Sequence, residues 1–206
     1  MMATPWGGFG AAPCTAYLEG VFDKTEAMHD GGFCYSEGIF EDLNKILILS
    51  LYVGTGKKEQ AIEDYFRFYF SEASVPFAQE LIQYLEISLS RRRLQADGTV
   101  NNYPSEPVTG ELPRFIIKNP ENVEKAYALA EKLASILPDS IKETDRFKML
   151  YLRTVIDAAL TQNEGKLSQK TETASKILEA IYHAKTADYV VSPITEQAIR
   201  ETRGHI

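Results

Sequence analysis

The sequence predicts a mainly α-helical protein, a bundle of six to seven helices that follows an N-terminal segment of different character. Apolar residues recur at helical spacing through most of the chain after residue 38, and proline and glycine separate these segments. Hydrophobic residues make up 44% of the 206 positions and charged residues 25%. A chain of this size and composition can bury the core of an ordinary globular domain.

The N-terminal segment, residues 1–38, is predicted to contain a loop, a helix from about Thr15 to His29 and a strand over GGFCYS. A single strand needs neighbours that pair with its backbone groups. The chain offers one other strand-like stretch, at residues 187–191. We therefore expect the partners of this strand to lie mostly outside the chain.

Three helices are predicted between residues 40 and 93. The first, 40–53, is apolar on nearly every side, which predicts a buried helix. The second, about 58–70, has one apolar face, formed by Ala61, Ile62, Tyr65, Phe66 and Tyr69. The third begins at Ser74, continues through Leu81 and Leu89 and ends at Arg91–Arg93, where cations suit the carbonyl end of a helix.

Residues 94–118 lack a sustained period and are predicted to form a long loop. Helices then return after Asn119–Pro120 and again around Phe147 and Leu150. The next helix opens at Ser168, and its predicted buried stripe consists of Ala174, Ile177, Leu178, Ile181 and Tyr182. A last short helix is predicted to begin at Ser192–Pro193.

Charge and motif content exclude several classes of function. The net charge of −7 disfavours nucleic acid, which requires a concentrated basic surface. The two cysteines have no metal or disulfide spacing, so we predict reduced thiols, no metal and no cofactor. No apolar run is long enough to span a membrane and no signal layout begins the chain, which predicts a cytoplasmic protein if Met1 is the true start.

Polar side chains crowd the start of the first bundle helix, in the stretch GGFCYSEGIFEDLNK at residues 31–45. Ser36, Glu37, Glu41, Asp42 and Asn44 lie within nine positions and run directly into the apolar ILILSLYV. A carboxylate removed from water must be paired or hydrogen-bonded. These groups either favour a helix N-terminus electrostatically or line a site.

The order of strand, polar cluster, apolar helix and helical bundle resembles the end of the barrel in large bacterial glycoside-hydrolase-like proteins. In the α-glucuronidase-like and α-N-acetylglucosaminidase-like families, the last strand of a (β/α) barrel is followed by an all-helical C-terminal domain. The segments that support the resemblance are YSEGIFEDLNK at 35–45, LILSLYVGTGKKEQAIEDYFRFYFS at 47–71, RFKMLYLRTVIDAAL at 146–160 and YHAKTADYVVSPIT at 182–195.

The resemblance implies that residues 1–38 are a barrel remnant and residues 39–206 an all-helical C-terminal domain. It also implies an accessory domain of a carbohydrate-active protein, packed on a barrel that this chain lacks. One wall of a sugar-binding cleft in the full-length protein would be formed by Tyr35, Ser36, Glu37, Glu41 and Trp6. The paired carboxylates of a glycosidase would lie on the missing strands, so no residue is assigned a catalytic role and the chain alone should be inactive.

The alternative, from another class, is a free-standing helical scaffold that binds a protein partner. Helix-pair repeats would favour this alternative, but the helices show no fixed period of residue types. Isolated aromatic residues such as Trp6 and Tyr35 belong to a core more often than to a sugar site. Glu37 and Glu41 are four residues apart, as a hard-metal site could require, but no third ligand is suitably spaced.

Overall fold

The computed structural model describes residues 11, 13–28, 30–32, 42–54, 57–94, 100–101, 114–117 and 119–185. The helices in these ranges are α1 (Thr15–Thr25), α2 (Asp42–Val53), α3 (Lys58–Tyr69), α4 (Val75–Ser88), α5 (Pro120–Ile136), α6 (Asp139–Lys142), α7 (Asp145–Gln162) and α8 (Gln169–Lys185). The strands are β1 (Leu89–Leu94), β2 (Val100–Asn101) and β3 (Arg114–Ile117). The predicted mainly helical fold is confirmed.

Local signals in the sequence explain where several helices begin and end. Asn119 precedes α5, whose first residue is Pro120, because proline suits a position where no helical N–H bond is needed. Thr144 caps α7, and its Oγ1 accepts a hydrogen bond from the Phe147 N–H at 3.3 Å. After α7 the chain turns at Gly165, which adopts a φ of 80° that side chains disfavour.

The segment after α4 differs from the prediction. The third helix ends at Ser88, and Leu89–Leu94, including the three arginines, forms β1 instead of a helix end. Both β2 and β3 pair with β1 in antiparallel orientation, so part of the predicted long loop forms a three-stranded sheet. The pairing of Leu89 with Ile117 joins residues far apart in sequence, which local periodicity cannot reveal.

Helices that follow one another in sequence also pack on one another. Contacts run from α1 to α2, then through α3, α4, α5 and α7 to α8. One core cluster joins α2, α3, α4, α5 and the start of α7, around Phe66, Leu81 and Leu133. A second cluster joins α7 to α8, around Ile156, Leu160 and Leu178, and Tyr151 borders both clusters.

The most buried helix is α7, although α2 is the most apolar helix. Every residue from Leu152 to Leu160 is buried, including the charged Arg153 and Asp157. By contrast α2, which was predicted to be buried, is buried on one face only. Leu47 is fully buried, whereas Leu49 and Val53 are 59% and 69% exposed.

Some predicted elements lie outside the described residues. These are most of the strand GGFCYS, the strand-like 187–191 segment, the short helix after Ser192 and the domain boundary at residue 38. Residues 31–32, which begin the predicted strand, are described and are not in a strand. The barrel remnant therefore stays a prediction. Of the helices in the described ranges, none is both long and apolar enough to cross a lipid bilayer.

Candidate functional site

The residues predicted to bind sugar lie outside the described residues. This holds for all five, namely Trp6, Tyr35, Ser36, Glu37 and Glu41. The same polar stretch continues into Asp42 and Asn44, which the structure does place. Their contacts show what the final part of the stretch does.

Asp42, the first residue of α2, connects three helices. Its Oδ2 lies 2.6 Å from Arg146 Nε of α7, and its Oδ1 accepts a hydrogen bond from the Tyr65 hydroxyl of α3 at 3.0 Å. The Arg146 guanidinium also stacks over the Tyr69 ring, 4.0 Å from its centroid. The pKa of the Tyr65 hydroxyl lies well above its usual value, mainly because the hydroxyl is buried and also because the Asp42 carboxylate is adjacent. Asp42 therefore has a structural role.

Asn44 belongs to a set of polar groups that hold the N-terminal segment on the bundle, which we call the N-terminal clamp. Asn44 is buried, and its Oδ1 accepts a hydrogen bond from the Cys14 N–H at 3.0 Å. The Glu86 carboxylate of α4 accepts hydrogen bonds from the backbone N–H and the hydroxyl of Thr15. Arg153 of α7 donates from Nη1 to the carbonyl oxygen of Ala11 at 2.8 Å. The clamp is thus formed by side chains of three helices.

Of the two described members of the polar stretch, Asp42 supports the first interpretation, in which charged groups favour a helix N-terminus electrostatically, whereas Asn44 binds the N-terminal segment. Asp42 also places a negative charge at the N-terminus of α2, where the helix dipole favours one. Neither contact bears on Glu37 or Glu41, whose role at a sugar site stays a prediction.

An open groove of about 500 Å³ lies between α5, α7 and α8, and we call it the α5–α7–α8 groove. Its floor and walls are mostly apolar or aromatic, formed by Tyr127, Tyr151, Leu152, Val155, Ala174 and Ile177. Leu152, Val155 and Ala174 are buried, whereas Ile177 is 44% exposed. This volume falls within the range of known binding sites, roughly 300–1,000 Å³.

The polar groups of the groove lie along one wall and at one end. The Tyr151 hydroxyl donates a hydrogen bond to the Glu131 carboxylate. The pKa of Tyr127 and the pKa of Tyr151 are both raised, mainly by burial of the hydroxyls and also by the nearby Glu131 carboxylate. At the end of the groove the Lys170 Nζ lies 5.2 Å from the centroid of the Tyr127 ring. The groove thus has an apolar floor and one lysine, and the Glu131 carboxylate beside it accepts the hydrogen bond of Tyr151.

The groove has no signal in the sequence of any single helix, because three helices form it. Ile177 was predicted to belong to a buried stripe with Ala174, Leu178, Ile181 and Tyr182. The first, second and third of these partners are buried, and the side chain of Tyr182 lies outside the described ones. The prediction for Ile177 is wrong because no described helix covers that edge of α8. Its side chain instead lines the open groove.

Within the described ranges, no three His, Cys, Asp or Glu residues lie close enough together to hold a metal ion. The backbone N–H of Cys14 belongs to the N-terminal clamp. The α5–α7–α8 groove is therefore the candidate site that the described geometry supports.

Comparison with known proteins found no matching protein-family model, no similar curated protein and no similar solved structure. The resemblance to glycoside-hydrolase-like barrel proteins accordingly stays a prediction. The class defined by the structure is a mainly helical bundle with an open apolar groove.

Proposed function

We propose that this chain is a helical interaction domain that binds a helix of a partner protein in the α5–α7–α8 groove. The observation that supports this function is the apolar lining of the groove. The buried Leu152, Val155 and Ala174 continue there to Ile177, which is 44% exposed. Exposed apolar surface beside a polar rim is typical of interaction sites, because a partner gains free energy by covering it.

The shape of the groove suits a helix better than a small molecule. The α8 side extends from Gln169 to Ile177, a distance of about 12 Å at the helical rise of 1.5 Å per residue. Pockets for small molecules usually enclose most of their ligand, whereas this groove is largely open to solvent. A helix with apolar residues at i, i+3, i+4 and i+7 matches such a groove.

Titration of the isotope-labelled full chain with an amphipathic peptide tests the proposal. A peptide of about 14 residues, with leucine at i, i+3, i+4 and i+7, is long enough to form a helix on binding. We expect NMR shift changes at Leu152, Val155, Ala174 and Ile177. Absence of shifts up to about 1 mM peptide, where binding is worth about −4 kcal/mol, would refute the proposal. So would shifts confined to another surface.

A matched pair of variants locates the binding surface. Ile136 of α5 is 43% exposed, close to the 44% of Ile177, and does not line the groove. Ile177→Ser should abolish or strongly weaken peptide binding, because it removes an apolar contact. Ile136→Ser should bind as the unmodified protein does, and equal losses for both variants would contradict the assignment to the groove.

A second candidate function is the accessory domain of a glycosidase-like protein, and the outer face of α2 supports it. Leu49 and Val53 are four residues apart on one face, 59% and 69% exposed. Such a face could pack on a barrel domain, as the resemblance implies. The coding frame upstream of Met1 tests this candidate: it should encode several hundred further residues with alternating strands and helices, and an immediate stop codon would contradict it.

Activity in the longer protein provides the second test of that candidate. The chain of 206 residues alone should hydrolyse no aryl glycoside of uronic acids or N-acetylhexosamines. In the longer protein, Glu37→Gln should lower turnover or substrate affinity while the melting temperature stays the same. An early-melting variant with normal turnover would assign Glu37 to the start of a helix instead.

A further inference from the structure

Lys170 occupies a position that local rules disfavour. It is the second residue of α8, where the helix dipole favours negative charge and opposes a lysine. Its side chain lies across the groove over the Tyr127 ring of α5, at 5.2 Å from the ring centroid. Natural proteins break such local rules mainly at functional or strained sites.

Lys170 also lacks a carboxylate partner in the part of the chain that the structure describes. The ion pairs found there involve other lysines and arginines. On its own helix the residues three and four positions later are Thr173 and Ala174, which are uncharged. The carboxylate beside the groove, Glu131, accepts the hydrogen bond of Tyr151.

We infer that the α5–α7–α8 groove selects a helix that carries a carboxylate next to its apolar face, and that Lys170 binds this carboxylate. The inference rests on the proposed function and names the chemistry of its partner. The Tyr127 ring already holds the ammonium group at the groove, so less side-chain entropy is lost when the ion pair forms. The apolar floor supplies affinity, and Lys170 supplies orientation and selectivity.

Two peptides that differ in one charged position test the inference. Both have leucine at i, i+3, i+4 and i+7, and one has glutamate where the other has lysine beside this face. At low salt the glutamate peptide should bind about two- to fivefold more tightly, the range of a partly exposed ion pair. The preference should shrink as salt screens the pair.

Variants of two lysines on α8 separate the outcomes. Lys170→Gln should remove the preference for glutamate but retain binding to both peptides. Lys176→Gln is the matched control, since Lys176 is exposed on the same helix and does not line the groove, and it should keep the preference. A preference that survives Lys170→Gln overturns the inference. Binding of neither peptide refutes the proposed function itself, and equal binding of both refutes only this inference.

Other occupants of the groove would give different signals before any peptide is added. Nuclear Overhauser contacts between the Ile177 methyl groups and residues 186–206 would show that this segment covers the groove. Concentration-dependent shifts at Ile177 would show that a second copy of the chain does so. Either result overturns the inference of a separate acidic partner helix.

Discussion

Replacement of Arg153 by methionine should destabilise this protein severely. Arg153 Nε lies 2.8 Å from Asp157 Oδ2, and only 3% and 2% of the two side chains are exposed. Methionine keeps the apolar stem but leaves the Asp157 carboxylate in the core without its cation. The Ala11 carbonyl oxygen loses its hydrogen bond from Arg153 as well.

The loss follows from the cost of a buried charge. Breaking one partner of a buried ion pair costs about 3–5 kcal/mol, a large share of the roughly 5–15 kcal/mol by which a domain is stable. For a chain of this size each kcal/mol lowers the melting temperature by about 2–4 °C, so Arg153→Met should melt about 6–20 °C earlier. Urea denaturation followed by circular dichroism measures the free energy of unfolding.

An exposed pair with the same spacing provides the control. Glu121 and Lys125 of α5 are also four residues apart, with 79% and 47% of their side chains exposed. Lys125→Met should lower the free energy of unfolding far less than Arg153→Met does, because water screens an exposed ion pair. Adding Asp157→Leu to Arg153→Met should recover part of the loss, because the uncompensated charge is then absent. A loss below about 1 kcal/mol for Arg153→Met would refute the reasoning.

Three further predictions concern the core, the Tyr65 hydroxyl and the N-terminal clamp. Leu81→Ala should cost about 2–5 kcal/mol because Leu81 is fully buried. Leu49 is 59% exposed, so Leu49→Ala should change stability by less than about 0.5 kcal/mol. Equal losses for the two variants in urea titrations would contradict the core assignment. In the folded state the pKa of the Tyr65 hydroxyl is raised, mainly by its burial and also by the Asp42 carboxylate. The protonated hydroxyl therefore contributes to stability below about pH 10, and this contribution is lost as the pH rises further. Between about pH 9 and pH 11 the free energy of unfolding should therefore fall more in the unmodified protein than in Tyr65→Phe. Equal falls in both proteins would show that the ionisation of Tyr65 does not change stability. Glu86→Ala should speed hydrogen exchange at the Thr15 amide, because the Glu86 carboxylate accepts the hydrogen bond of this N–H. Unchanged exchange there would mean that the clamp does not hold α1.

Local sequence signals were sufficient for most helices and for much of the core. Ala61, Ile62 and Phe66 of the predicted apolar face of α3 are buried, as is Leu81 of α4, because helical periodicity places apolar residues on one face. The start of α5 was also predictable, since Asn119 and Pro120 act through their own backbone preferences. The sheet after α4 was not predictable in this way, because its pairing joins distant segments.

The candidate site depended almost wholly on tertiary structure. Tyr127, Tyr151 and Ile177 come from three helices, and their sequence neighbourhoods contain no signal that they meet. The groove forms because α5 and α8 both pack on α7, and among the described residues Ile177 at its edge stays 44% exposed. The sugar-binding prediction depended on a resemblance, and its residues lie outside the described ones.

The sequence by itself determined that helices form and which stripe of each helix is apolar. Tertiary structure decided which helix is central. The most apolar segment, α2, remains half covered with Val53 exposed, whereas every residue of α7 from Leu152 to Leu160 is buried, including Arg153 and Asp157. The physical reason is that hydrophobicity belongs to each residue, but burial depends on neighbours that other segments supply. Small residues such as Ala158 and Ala159 let those neighbours pack closely, and the Arg153–Asp157 pair neutralises the charges that burial would otherwise penalise.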